Sequence, residues 1–256
     1  MKEVFKGSLE GIKVIDFSTL LPGPLASLFL SETGAEVIKI EKPGVGDEIR
    51  LSNPQWGEQS VSFSLLNRGK KSLSLDLKDP KNLKILIPIL KEADIIIEQF
   101  RPGVMKRLGL DYDSLKQIQP KLIYCSITGY GQTGPLKDRA GHDINYLALS
   151  GLASFSGHKD TGPVLSGTQI SDIAGGSHHA VMAIMAAHIQ RLSAGEGQYL
   201  DISMSDAALA LTTMFGANAL ASGEDPELGG EMLNGGLFYD YYQTADQRGL
   251  AASERL

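Results

Sequence analysis

The sequence predicts an α/β protein: a Rossmann-like parallel sheet with flanking helices in a large domain, followed by the start of a small second domain. Three observations carry this expectation. Short β-branched runs alternate with helical apolar patterns from Lys13 onward, and strand–helix–strand units of this kind build parallel sheets with right-handed crossovers. The length of 256 residues and the hydrophobic content of 42% are enough for a full core. Glycine and acidic residues then punctuate 223–230, as at a domain boundary. The large domain is accordingly placed at 1–203, a linker helix at 204–228 and the beginning of the small domain at 229–256.

Lys13 to Phe17 reads as the first strand, Pro24 to Glu32 as a helix ended by Gly34, and Glu36 to Glu41 as the second strand. The turn between, Ser18 to Pro24, lacks the Gly-x-Gly-x-x-Gly spacing that brings backbone amides onto a dinucleotide pyrophosphate, so NAD binding is not expected. Leu73 to Leu77 alternates like a strand with one apolar face. Asp79 and Pro80 form an N-cap and first helical residue, and Leu83, Leu86, Ile87 and Leu90 follow as a core stripe, with Pro88 expected to kink or locally break the helix. Ala93 to Glu98, Lys121 to Thr128 and Gln198 to Ser203 read as further strands. A helix is expected from Asp172 to Arg191, ended by the glycines at 195 and 197, and another from about Ser205 to Ala221.

The net charge of −6, without a long basic run, leaves no electrostatic footprint for nucleic acid. The single cysteine, Cys125, lies in an apolar strand, where a thiol is usually an inert small hydrophobe. No disulfide framework is possible and a reducing, cytoplasmic setting is expected. The N-terminus, beginning Met1-Lys2-Glu3, has no secretory h-region, and no apolar stretch is long enough to span a bilayer, so neither export nor membrane insertion is expected. His178 and His179 are adjacent, point about 100° apart on a helix, and read as structural. No metal-ligand constellation is seen.

Two places carry candidate chemistry. After the turn-rich run Gly129 to Pro135 comes Gly141-His142-Asp143, and about thirty residues later Asp172 stands before Gly175 and Gly176. A histidine and a carboxylate are the side chains most easily tuned to exchange protons near neutral pH. Equally, His142 reads as a hydrogen-bonded loop residue and Asp172 as a helix N-cap. Spacing alone leaves the function open.

The runs Gly-Tyr-Gly-Gln-Thr-Gly-Pro at 129–135, Ala-Gly-His-Asp-Ile-Asn-Tyr at 140–146, Asn234-Gly235-Gly236 and Tyr242-Gln243-Thr244-Ala245-Asp246 resemble the α-methylacyl-CoA racemase branch of the family III (CaiB/BaiF) CoA-transferases. The resemblance runs in the family's order from Gly11 to about Asp246 and covers the first two thirds of a family polypeptide. It implies an acyl-CoA thioester as substrate, no cofactor beyond the CoA moiety, and an interlocked homodimer. His142 and Asp172 become the catalytic pair. The resemblance also makes Lys42 a contact to CoA, with Leu75, Asp76, Leu77, Lys78, Arg101 and Arg107, together with Gly141, Asp143, Ile144, Asn145 and Tyr146.

Racemisation of a 2-methylacyl-CoA needs a base on one side of the α-carbon, an acid on the other, and donors for the enolate oxygen. His142 and Asp172 supply the titrating groups, and the backbone at Gly175 and Gly176 is a candidate oxyanion site. The alternative is CoA transfer, in which Asp172 attacks the thioester as a nucleophile. His142 favours the racemase, because the transferase branch usually carries tyrosine or another residue at the position before Asp143, whereas the racemase branch resembles Gly-His-Asp-Ile-Asn-Tyr. Gln243 stands where some racemases have glutamate. A third reading is a fragment that binds CoA without turning it over.

Overall fold

The computed structural model describes residues 7–236 and 238–253. The opening Met1 to Lys6 lies outside the described residues, as do Leu237 and the last three positions. The chain divides into two compact units, one formed by the described residues up to Ala140 with Asp172–Met204, the other by Gly141–Ser171 with the described residues from Ser205 on. This differs from the sequence boundaries at one main place: 141–171, including His142, is set apart from the sheet-bearing unit. The expected single linker helix is two helices, Met204–Ala210 and Thr213–Ser222.

The first unit is built on six parallel strands: β1 (Lys13–Asp16), β2 (Glu36–Glu41), β3 (Lys71–Ser74), β4 (Ile95–Glu98), β5 (Ile123–Thr128) and β6 (Gln198–Ser203). Their order across the sheet is β6-β5-β4-β1-β2-β3. The chain moves outward from β1 to β3, returns to the other side of β1, and moves outward again to β6. That is the doubly wound order in which ligands lie at the carboxyl ends of the strands where the winding reverses. Here the reversal falls between β1 and β4.

The central strands are apolar because both faces are covered. Val14, Ile15 and Ile95 to Ile97 are at most 1% exposed, as fits a parallel sheet between helical layers. On one face the helices α3 (Pro80–Lys91), α4 (Val104–Leu108) and α5 (Tyr112–Lys116) share a core with Ile15, Ile40, Leu75, Ile96 and Tyr124. Leu86 and Leu90 of the expected stripe are buried there, with Leu83 and Ile87 packed against them. Of the kink or local break expected at Pro88, the break does not occur: α3 runs through to Lys91. Pro88 and the residue four before it, Lys84, are exposed, so the missing hydrogen bond falls on the solvent side of the helix.

The remaining helices of this unit are α1 (Pro22–Glu32), α2 (Val61–Asn67) and α7 (His179–Ala194). A π-helical stretch, Ser171–His178, leads into α7. In the second unit α6 (Asp143–Leu149) accompanies two hairpins and the two helices beyond β6. The second hairpin pairs Asp240–Gln243 with Gly249–Ala252, and Phe155 stacks on Phe215 with ring centroids 5.7 Å apart.

Candidate active site

The strand that would host a dinucleotide in this topology is closed by its own side chains. Pro22 and Pro24 have no N–H to offer, the Gly23 N–H donates to Gln99 Oε1 at 3.0 Å, and the Leu20 N–H donates to Asp47 Oδ1 at 3.1 Å. Two of the amides of the turn where a dinucleotide site would hold a pyrophosphate are therefore committed within the protein. A Cβ at position 23 would lie 2.1 Å from Ser18 Cβ, so only glycine allows this turn to close on itself.

What fixes the turn is a buried charge network that pattern reading passed over. Asp16, at the end of β1, is fully buried and accepts from Ser18 N (2.8 Å), Ser27 Oγ (2.5 Å) and the Ser18 hydroxyl. Lys39 is only 1% exposed, pairs with Asp47 Oδ2 at 3.0 Å and donates to Ser18 O at 2.6 Å. Lys70 reaches Pro24 O at 2.8 Å, Asn67 Oδ1 at 2.9 Å and Asp16 at 3.5 Å. Burial opposes ionisation of Asp16, but Lys39, Lys70 and the two serine hydroxyls together outweigh it and hold the carboxyl below its ordinary range. Burial brings Lys70 down to about 8 despite Asp16. The only sequence signal was a lysine inside the apolar run Val-Ile-Lys-Ile, since a buried lysine must find a carboxylate.

Glu41 extends the network at the end of β2. It receives two parallel bonds from Arg50, both 2.8 Å, with Ser72 Oγ at 2.6 Å and the Asp47 N–H at 2.9 Å. Burial works against its charge, yet these donors, Arg50 foremost, take its pKa down to about 2. Gly46, at φ +73°, must be glycine here, because its Cβ would meet Glu41 Oε2 at 2.5 Å.

Beside this scaffold lies a cavity of about 330 Å³, bounded by Phe17, Thr19, Ile40, Lys42, Leu75 to Lys78, Phe100, Val104 and Leu108. The structure thus brings Lys42 and the whole Leu75 to Lys78 segment together, at the reversal point of the sheet. The strand expected at 73–77 instead spans Lys71–Ser74, which frees Leu75 to Lys78 to form a wall. Leu75, Leu77, Val104 and Leu108 offer an apolar surface for a flat ring. Lys42 stands at its edge in an exposed pair with Glu48, 3.1 Å apart, and such a pair is weak enough for a phosphate to displace. Arg101 does not share this cavity: it lines a neighbouring one, in which Met105 and Lys106 of α4 also take part. Arg107 is exposed in the last turn of α4.

Asp172 is half-buried in the first turn of the π-helical stretch rather than at an N-cap position. The wider winding is held from within and from α1. The Ser177 hydroxyl donates to Pro22 O at 2.8 Å and lies 3.3 Å from Asp172 O. Gly176 is buried, and a Cβ there would sit 2.9 Å from Pro22 Cβ and 3.1 Å from Met204 Sδ. At least at Gly176, the absence of a side chain serves close packing of this helix on α1. The His179 Nδ1 contacts Ala174 O at 2.6 Å and His178 packs against the Phe29 ring, so both histidines have structural partners.

His142 belongs to the second unit, where it is the exposed residue capping α6. The Asn145 side chain accepts the His142 N–H at 3.0 Å, and the Tyr146 hydroxyl donates to Gly141 O at 2.6 Å. Asn145 and Tyr146 therefore clamp the backbone that presents the imidazole, while Ile144 is exposed. Cys125 is fully buried in β5, and burial raises its thiol well above the ordinary value. Among the described residues no group of three or more His, Cys, Asp or Glu side chains could hold a metal ion, and no helix is long and apolar enough to cross a membrane.

A doubly wound sheet with its dinucleotide turn closed, and a separate cavity at the reversal point, define a variant of the Rossmann-type fold. Residues 9–253 match the family described as CoA-transferase family III, and the chain belongs to that family. It is 38% identical over 239 residues to human succinyl-CoA:glutarate CoA-transferase, covering 93% of this chain and 54% of the relative. It is 43% identical over 206 residues to acetyl-CoA:oxalate CoA-transferase of Acetobacter aceti (80% and 53%) and 36% identical over 240 residues to human alpha-methylacyl-CoA racemase (93% and 59%). Among solved structures, a CAIB/BAIF family protein from Brucella suis superposes with a TM-score of 0.83 at 36% identity, covering 87% of this chain and 60% of that one. The chain thus spans little more than half the length of these relatives.

Proposed function

We propose that this chain acts on acyl-CoA thioesters, and that its chemistry is 1,1-proton transfer at the α-carbon of a 2-methylacyl-CoA, as in a racemase or epimerase. The observation that carries this reading is the Gly141 to Tyr146 device, in which Asn145 and Tyr146 hold the backbone on either side of an exposed His142. In the proposed reaction one of His142 and Asp172 takes the α-proton, the thioester oxygen gains negative charge, and the other returns a proton to the opposite face. Exchanging the two roles runs the reaction in the other direction. Asp172, in the first turn of a helix that continues into α7, has its ionised form favoured by the helix dipole. In the same proposal the nucleotide end of CoA rests on Leu75 and Leu77, with Lys42 at its phosphates.

A second reading is CoA transfer between carboxylic acids, favoured by the identities of 38% and 43% to proteins named as CoA-transferases. There Asp172 attacks the thioester carbonyl, CoA thiolate leaves, and a mixed anhydride forms. The two readings separate on His142. Under the racemase reading His142→Ala and Asp172→Ala each abolish racemisation. Under the transferase reading His142→Ala retains substantial transfer while Asp172→Ala eliminates it. Retained transfer in His142→Ala, with no deuterium taken up by substrate with the unaltered chain, would reject the racemase proposal.

A further inference from the structure

Two glutamates end neighbouring parts of the same sheet, and they are treated in opposite ways. Glu41, ending β2, has the Arg50 guanidinium locked onto it through two bonds of 2.8 Å. Glu98, ending β4, is 3% exposed and receives only the Ser126 hydroxyl and the Phe100 N–H, the latter at 2.8 Å. Among the described residues no cation pairs with it. Burial, reinforced by the nearby Asp201 carboxylate, pushes its pKa up to about 7, whereas Glu41 sits at about 2. A buried carboxylate without a counter-ion is costly, and Glu98 is one that the proposed reaction does not use.

The space next to Glu98 is open. A cavity of about 260 Å³ has Glu98, Tyr112, Tyr124, Ser126, Gln132 and Tyr199 in its wall. Residues of α4 contribute to this cavity and to the one beside Lys42. The three tyrosine rings form one cluster, with centroids 5.6 to 6.1 Å apart. Lys116 Nζ lies 5.6 Å from the Tyr112 centroid, so at least one of these rings already attracts a cation. The remaining charged groups of the lining are Asp111 and Asp113 against Arg101 and Lys106. With Glu98 ionised the acids outnumber the bases, and both bases are exposed side chains.

We propose that this cavity is a second binding site, for a small organic ammonium ion whose charge completes the unpaired Glu98 and whose alkyl part lies against the tyrosine cluster. A primary ammonium supplies three donors, for which Glu98, the Tyr199 hydroxyl and the Gln132 side chain offer acceptors. The bound cation favours the ionised carboxylate, so binding and deprotonation of Glu98 are linked.

The test uses butylammonium and its neutral counterpart butan-1-ol on the 256-residue chain, followed through the tyrosine ring signals by NMR. Butylammonium is expected to shift those signals saturably at pH 8 and to bind at least about fivefold more tightly than butan-1-ol, the minimum for a charge-assisted contact. Its affinity falls about tenfold between pH 8 and pH 6, as a carboxyl of pKa near 7 becomes protonated. Butan-1-ol shows no such dependence. Glu98→Gln removes the preference for the cation while keeping the shape, and the comparison within the unaltered chain decides the matter if that variant does not fold. Saturating CoA leaves butylammonium bound. Equal, pH-independent binding of the two probes overturns the proposal, as does the absence of any saturable shift or displacement of butylammonium by CoA.

Discussion

Replacing Arg50 by Met tests how the wall beside Lys42 is built. Met keeps an unbranched stem for the contact with Phe63, over whose ring the guanidinium carbon now sits at 3.6 Å, but removes both bonds to Glu41. One pKa unit corresponds to about 1.4 kcal/mol. The depression of Glu41 from 4.5 to about 2 is therefore worth roughly 3 kcal/mol at most, and about 2 kcal/mol once screening at the quarter-exposed guanidinium is allowed for. The variant also leaves Glu41 buried without a cation, in the condition of Glu98, so its folded pKa should rise above the unfolded value. The expected total loss at pH 7.5 is about 3 kcal/mol. The sign of the pH dependence follows from those shifts. In the parent, the contribution of Glu41 is complete above pH 4.5 and fades only as pH falls toward 2. In the variant, Glu41 destabilises the fold above its raised pKa and recovers as it protonates. Urea denaturation at pH 7.5 and 4.5 should show the difference between the two proteins shrinking by about a third, from about 3 to about 2 kcal/mol. A loss that is the same at both pH values, or below about 0.5 kcal/mol, would refute the assignment of Arg50 as the charge that permits Glu41 to be buried.

Gly176→Ala forces a methyl group to within 3 Å of Pro22 and should cost about 1–3 kcal/mol in urea denaturation, with the Asp172 helix displaced in a crystal structure of the variant; an unchanged midpoint would show the contact to be soft. Ser177→Ala removes the bond to Pro22 O and should destabilise by about 1 kcal/mol, measured in the same way. Lys42→Ala should weaken CoA about five- to tenfold by calorimetric titration, as loss of one charge-assisted contact, and Leu77→Asp should weaken it more by placing charge in the apolar wall. NAD should bind less tightly than CoA to the parent protein, because the Leu20 and Gly23 amides of the first turn are already taken and Pro22 and Pro24 have none to offer.

Strand–helix alternation makes the parallel sheet legible, and five of the six strands fall where the β-branched runs lie to within two residues. β3 is the exception, starting two residues and ending three residues before the alternating run, because Leu75 and Leu77 continue the alternation of Leu73 although they leave the sheet to face a cavity. Periodicity records which side chains are sheltered, not what shelters them. The Gly-His-Asp-Ile-Asn-Tyr run was legible as a motif, but only coordinates show that its Asn and Tyr are anchors for the His142 backbone. The Asp16, Lys39, Asp47 and Lys70 network is not legible as a network, since its members are separated by up to 54 positions and, apart from Lys39 in its apolar run, each alone reads as a solvated charge. Nor does a sequence period distinguish the π-helical winding at Asp172 from the first turns of α7.

The proposed chemistry is tested most directly by incubating the protein with a single enantiomer of a 2-methylacyl-CoA in deuterated water and following the α-carbon by NMR. The proton-transfer account predicts deuterium at that carbon together with the appearance of the other enantiomer, and loss of that inversion in Asp172→Ala. An α-proton that stays in place, while CoA passes to an added carboxylic acid, would contradict it.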